Sequence, residues 1–199
     1  MKKFIFVTVI SFLLCASFTV SAQEADQNEG FKPALIVIDV QKAFIGMMDQ
    51  NAINEPIEYI NAYVAAFKQL GYPVIYIYHT SDEYGVPVGS EAYQFIDDIS
   101  ILEDAPKITK TYGNAFNKTE LDSTLKALDC NALFLCGLSA SGCVFATFVG
   151  GQDMDYNTYV LKNAIMSPDE KVTKVIEEIV DAVGPNAMKL ILENLHQQD

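Results

Sequence analysis

Residues 34–40 read ALIVIDV, an almost unbroken run of β-branched and apolar side chains. A strand with no polar face must be covered on both sides, as the central strands of parallel sheets are. Residues 74–78 (VIYIY) and 132–136 (ALFLC) repeat the pattern, 158–161 (TYVL) adds another strand, and 107–111 a short one. Between them, Ile57, Ile60, Val64, Phe67 and Leu70 form a helical stripe across residues 56–70 that Gly71 stops. The pattern further predicts a helix over 119–128 capped by Thr119, a helical segment over 143–150 and a last helix over 186–195. Ser167-Pro168-Asp169-Glu170 reads as another helix start, with Ser167 as cap and Gly184-Pro185 as the stop. Strands alternating with helices through right-handed crossovers give a three-layer α/β/α fold around a mostly parallel, doubly wound sheet. Such sheets bind ligands beyond the carboxyl ends of their strands. Asp39, the loop after Tyr78 and the turn before Cys143 all belong to that edge.

The 199 residues, 50% of them hydrophobic, suit one domain, expected over 32–199. Lys2 and Lys3 precede an apolar run ending in Val20-Ser21-Ala22, which predicts a signal peptide over 1–22. The polar, acidic stretch 23–31 then reads as a flexible leader. Cleavage after Ala22 implies export, to a periplasm or outside the cell, with no stable membrane insertion afterwards. An uncleaved anchor would need a longer run without Thr8, Ser11, Ser17 and Thr19, and a lipid on Cys15 would follow Leu14 rather than a small residue.

Cleavage removes Lys2 and Lys3 from the 13 basic residues and none of the 26 acidic ones, leaving 11 against 26, a formal charge of −15. Such a surface repels polyanions, which excludes a nucleic-acid partner. The sequence contains no arginine, so a substrate rich in carboxylates or phosphates lacks its usual bidentate partner and a neutral or singly charged small molecule is expected. Cys130, Cys136 and Cys143 remain, an odd number, so at least one thiol stays free or pairs between chains. Cys130 and Cys136 flank one strand, which holds them about 20 Å apart and out of disulfide reach.

Asp39 interrupts an apolar strand, where an unpaired carboxylate loses several kcal/mol through desolvation, so it needs a partner or a task. Capping the following turn would be one. Cys143 follows the small-residue turn Gly137-Leu138-Ser139-Ala140-Ser141-Gly142. At a helix N-terminus the dipole and free amides favour a thiolate and can hold an oxyanion. A buried, inert thiol is the alternative. Lys110, at the end of a short strand, would by itself be an ordinary solvated lysine. Together the three supply a nucleophile, a proton acceptor and a cation that keeps both ionisable.

Three segments resemble the isochorismatase-like cysteine hydrolases. ALIVIDVQKAF is similar to the opening strand, in which Asp, Gln and Phe recur at the places of Asp39, Gln41 and Phe44. KTYGNAFNKTEL resembles the lysine segment, matching Lys110, Asn114, Ala115, Phe116, Thr119 and Leu121, and LFLCGLSASGCVFAT resembles the nucleophile segment. All three keep the family's order and spacing.

The resemblance implies an Asp39-Lys110-Cys143 triad, a covalent intermediate on Cys143 and cleavage of an amide or imide C–N bond. It implies a cis peptide joining Ser139 and Ala140 and an oxyanion hole from the amides of Ala140 and Cys143, with Gln41, Phe44 and Phe116 against the substrate. It also implies a homo-oligomer. The sequence departs from the family's usual Thr at Ala140 and from its Asn-Asp pair at Lys42-Ala43. Nicotinamidase-like members carry an Asp-x-His and a further His as metal ligands. Here only His79 stands after the second strand, so neither a metal, nor any other cofactor, nor nicotinamidase activity is expected. Enol-ether hydrolysis of an isochorismate-type dianion is the enzymatic alternative, and an exported binding module the non-enzymatic one. A serine hydrolase built on Ser139 would need Gly at Ser141 and a base at His79 or His196. A redox protein would need Cys136 beside Cys143.

Overall fold

A computed structural model describes residues 30–196, with the side chain of residue 196 excepted. The predicted signal peptide and nearly all of the leader lie outside the described residues. Residues 31–196 fall in one compact unit.

The elements run β1 (Pro33–Ile38), α1 (Lys42–Ile45), α2 (Asn54–Gln69), β2 (Val74–His79), β3 (Lys107–Lys110), α3 (Leu121–Ala127) and β4 (Ala132–Leu138). A short π-type turn, Ala140–Val144, leads into α4 (Phe145–Gln152), followed by β5 (Asn157–Met166), α5 (Glu170–Ile179) and α6 (Pro185–His196). The sheet has the order β3-β2-β1-β4-β5, and every adjacent pair is parallel. All six residues of β1 are buried. Its alternate side chains feed two separate cores, as the period of two requires. Leu35 and Val37 pack with residues of α2 and α6, whereas Ala34, Ile36 and Ile38 pack with residues of α3 and α5. The fold is therefore the expected α/β/α sandwich. Full burial of a side chain such as Ile36 contributes about 2 kcal/mol.

Because β1 connects outward to β2 on one side while β4 lies on its other side, the strand order reverses between β1 and β4, where such sheets open a crevice. The residues leaving these two strands are Asp39 and the turn that carries Cys143. Among the described residues no helix is long and apolar enough to cross a membrane.

Several boundaries differ from those expected. β1 stops at Ile38 because Asp39 turns out of the strand with φ 53°. β5 extends to Met166 through an irregularity: Leu135 pairs with Val160 but Gly137 with Ile165, and Asn163 takes φ 64°. Asp169, not Ser167, caps α5, its carboxylate accepting the Lys171 amide at 2.9 Å. Gly184-Pro185 does not end α5, which stops at Ile179; Pro185 opens α6, where its fixed φ suits a first helical position. The hydroxyl of Thr119 accepts the amide of Leu121, so it serves the start of α3 from two residues upstream.

Gly137 sets the close approach of β4 to β1. Its φ is 109°, and a Cβ there would lie 2.1 Å from the Ile38 carbonyl oxygen. Backbone cannot yield as a flexible side chain can. Gly137→Ala is expected to lower the unfolding free energy by about 3 kcal/mol or more, seen as a fall in the urea midpoint. Gly85→Ala, at φ 65° but in open space, should cost only about 1 kcal/mol.

Candidate active site

Strands β3 and β2 end level, with Lys110 in register with His79. β1 stops at Ile38 opposite Ile77, so Asp39, the next residue, falls within one residue of that level across the same sheet edge. Two inter-strand spacings, roughly 10 Å, separate the backbones of Lys110 and Asp39. A lysine side chain spans that gap where a shorter cationic group would not. Its ammonium is buried, with 0% side-chain exposure, and lies 2.7 Å from Asp39 Oδ2. It also lies 3.1 Å from His79 Nδ1 and donates to Cys143 Sγ at 3.1 Å.

An ammonium has three N–H donors and no acceptor. Lys110 therefore spends one on each of three acceptors, and His79 Nδ1 must carry a lone pair. The imidazole is neutral with its proton on Nε2. Burial, reinforced by the charge of Lys110, lowers its pKa to about 4. Asp39 is 2% exposed. Burial pushes its carboxyl above the ordinary carboxylate range, while Lys110 pulls it back. Asp39 Oδ1 is buried without a hydrogen bond, which leaves one oxygen free to take a proton.

Cys143 is not a standing thiolate. Burial, aided by the charge of Asp39, pushes its thiol up to about 11 against the opposing pull of Lys110. Cys143 does not sit in the first turn of a regular helix. Cys143 sits inside the π-type turn, and α4 starts only after it, with Val144 at the cap. Gly142 breaks the turn with φ −109° and ψ −109°. The Ser139 carbonyl accepts the amides of Gly142 and Val144, passing over that of Cys143 between them.

The cis peptide joins Leu138 and Ser139, one bond earlier than Ser139 and Ala140, where it was expected. Ser139 lines the cavity above Cys143, whereas Ala140 is fully buried in the apolar layer beneath.

A cavity of about 290 Å³ opens over this cluster. Asp39, His79, Ser139 and Cys143 form its floor, and Phe44 lines its wall, with its ring edge-on to His79 at 5.8 Å. Gln41 and Phe116 do not line it. Gln41 is fully buried and its amide is consumed by backbone: Oε1 accepts the His79 amide at 2.7 Å, and Nε2 donates to the carbonyls of His79 at 2.9 Å and Tyr93 at 2.8 Å. It holds His79 in place. Phe116 stacks on Tyr156 in the opposite core, with ring centroids 5.6 Å apart. Sequence reasoning left His79 without a role. Its signal was a polar residue closing an otherwise apolar strand, as Asp39 does on β1.

One oxygen of Asp39, one ring nitrogen of His79 and Cys143 Sγ lie within 4.8 Å of one another, a spacing that could hold a metal ion. The Lys110 ammonium already claims a lone pair on each of the three residues. The donor set thus fits the lysine it holds better than a metal. Cys130 and Cys136 are both free and buried, and Cys136 donates to the Ile36 carbonyl within the sheet.

Residues 33–186 match the isochorismatase domain family. The isochorismatase family protein YrdC of Bacillus subtilis (strain 168) is 29% identical over 140 residues, 67% of this chain and 73% of that protein. Among solved structures, a cysteine hydrolase from Pseudomonas syringae pv. phaseolicola 1448A superposes with a TM-score of 0.73 at 20% identity, covering 83% of this chain and 93% of that one. N-carbamoylsarcosine amidase from Thermoplasma acidophilum does so with a TM-score of 0.67 at 22% identity, covering 77% and 95%. These likenesses establish a shared fold, and with the domain match spanning most of the sequence the chain belongs to the isochorismatase family.

Proposed function

We propose that this isochorismatase-family hydrolase cleaves the C–N bond of a small amide or imide through a covalent intermediate on Cys143. The observation that carries this reading is the buried Lys110 ammonium, which touches Asp39 at 2.7 Å and Cys143 at 3.1 Å at once. The superposable structures described as a cysteine hydrolase and an amidase support it.

The chemistry follows from the resting protonation states. The thiol carries its proton, Asp39 is an anion with a free oxygen, and burial makes that carboxylate a stronger base than usual. As Sγ bonds to the substrate carbonyl carbon, the thiol proton passes to Asp39 and the carbonyl electron pair moves onto oxygen. The amide of Cys143, passed over by the Ser139 carbonyl, is the donor offered to the developing oxyanion, whereas Ala140, buried beneath the cavity, is not placed for the part expected of it. Collapse breaks the C–N bond, and the leaving nitrogen takes the proton back from Asp39. A water molecule then attacks the thioester, losing a proton to Asp39, and the returning thiolate recovers that proton. Lys110 stays charged throughout and stabilises whichever of sulfur or carboxylate is anionic.

The enol-ether alternative lacks support from the cavity. A dicarboxylate needs accessible cations, and among the described residues those lining the cavity include no lysine.

Cys143→Ala is expected to reduce turnover of any amide the protein hydrolyses by about 10⁴-fold or more, while Cys136→Ala retains it. Equal loss in both variants would point to a disulfide mechanism. The pH dependence of kcat/KM separates the two candidate bases. With Asp39 as base, activity falls as pH drops through its carboxyl pKa, raised above 3.8. His79 stays neutral down to about 4 and adds no inflection at 6.5. A limb centred near 6.5 that disappears in His79→Gln would assign the imidazole as base and overturn the role given to Asp39.

A further inference from the structure

The groups at the floor of the cavity are already matched to one another, and this restricts what can enter. All three donors of Lys110 are occupied, by Asp39, His79 and Cys143, and the described residues that line the cavity include no other cation for a substrate carboxylate. Asp39 Oδ1, buried and unpaired, repels one. The walls and rim are Phe44, Met47, Met48, Tyr84, Leu138 and Pro168. They carry no charge, and an ammonium or carboxylate enclosed there would lose hydration worth several kcal/mol. His79, Ser139 and Tyr84 supply neutral side-chain donors, and a ring nitrogen of His79 lies within 4.8 Å of Cys143 Sγ. The Nδ1 of His79 faces Lys110, and Nε2, which carries the proton, has no hydrogen-bond partner among the described residues yet is not among the enclosed unpaired atoms. A neutral N–H beside a nucleophile suits a carbonyl oxygen or a leaving-group lone pair. Size completes the restriction, because about 290 Å³ is roughly twice the 150 Å³ void that holds benzene.

We infer that the substrate is an uncharged carboxamide whose acyl group is one apolar ring or a branched alkyl group of similar bulk, held by the apolar walls and by the Nε2–H of His79. This rests on the amidase reading and narrows it. Met47 and Tyr84, each 68% exposed, form the rim and should gain burial when such a group binds.

The test compares isosteric amides on the purified full chain. 4-Methylpentanamide and succinamate differ only in an isopropyl group against a carboxylate, 4-aminobutanamide supplies the cation, and benzamide the ring. The neutral amides should exceed both charged ones by at least about 100-fold in kcat/KM, and Met47→Lys, at an exposed position, should reduce the margin over succinamate at least tenfold. Turnover that favours succinamate or 4-aminobutanamide, or a margin unmoved by Met47→Lys, would overturn the substrate class and leave the amidase reading standing. An independent arm measures alkylation of Cys143 by N-benzyl iodoacetamide and by iodoacetate, each normalised to glutathione. Preference for the neutral reagent, with protection by 4-methylpentanamide and not by succinamate, supports the substrate class even if no amide is turned over, in which case the catalytic reading alone fails. Equal normalised rates without such protection would overturn the class.

Discussion

The site depends on burying a lysine. An ammonium taken out of water loses hydration worth many kcal/mol, and only near-complete replacement of its water contacts makes the burial tolerable. Lys110 achieves this with a carboxylate, an imidazole nitrogen and a sulfur, one for each N–H. The surrounding architecture follows from that demand. Asp39 must leave β1 in a left-handed conformation to present its carboxylate. β2 must end level with β3 so that His79 meets Lys110, and the Gln41 amide fixes His79 by bonding both its N–H and its carbonyl. Removing either charge of the Lys110–Asp39 pair alone would cost about 3–5 kcal/mol, so the contacts on which the proposed chemistry rests also stabilise the fold.

Much of this was legible in the sequence because the signals were large. Runs such as ALIVIDV and VIYIY cannot be exposed on either face, and that alone demands a parallel sheet between helices. Asp39 stood out as a charge in an apolar run, and Lys110 and Cys143 joined it through the resemblance of their segments to those of the isochorismatase-like hydrolases. What escaped was local geometry. Gln41 is three residues from Phe44, yet one side chain turns inward to the His79 backbone and the other lines the cavity. Linear spacing does not separate these fates when the intervening residues form a one-turn helix. Phe116 follows β3 closely but packs on Tyr156, since the chain leaves the sheet edge immediately after Lys110. The placing of the cis bond one residue late and the assignment of the α5 cap to Ser167 are errors of the same kind. Both fall in turns, where one residue changes the direction of the chain.

The state of Cys143 shows how such a small geometric difference alters chemistry. A cysteine in the first turn of a regular helix is held near the positive end of the dipole, which favours the thiolate. Here the π-type turn inserts Ala140–Val144 before α4, so regular helical geometry begins after the sulfur. Burial and the Asp39 charge then outweigh the single cation beside it. The side chain proposed as nucleophile thus rests as a thiol. A thiol is a weak nucleophile until its proton leaves, so in the proposed mechanism attack is coupled to proton transfer rather than following a prior ionisation. That coupling needs a base within reach that is itself unoccupied, and Asp39 Oδ1 is buried and has no hydrogen bond. The unpaired oxygen, a defect by the usual accounting of buried polar groups, is thus what the proposed mechanism requires of the residue beside the protonated sulfur.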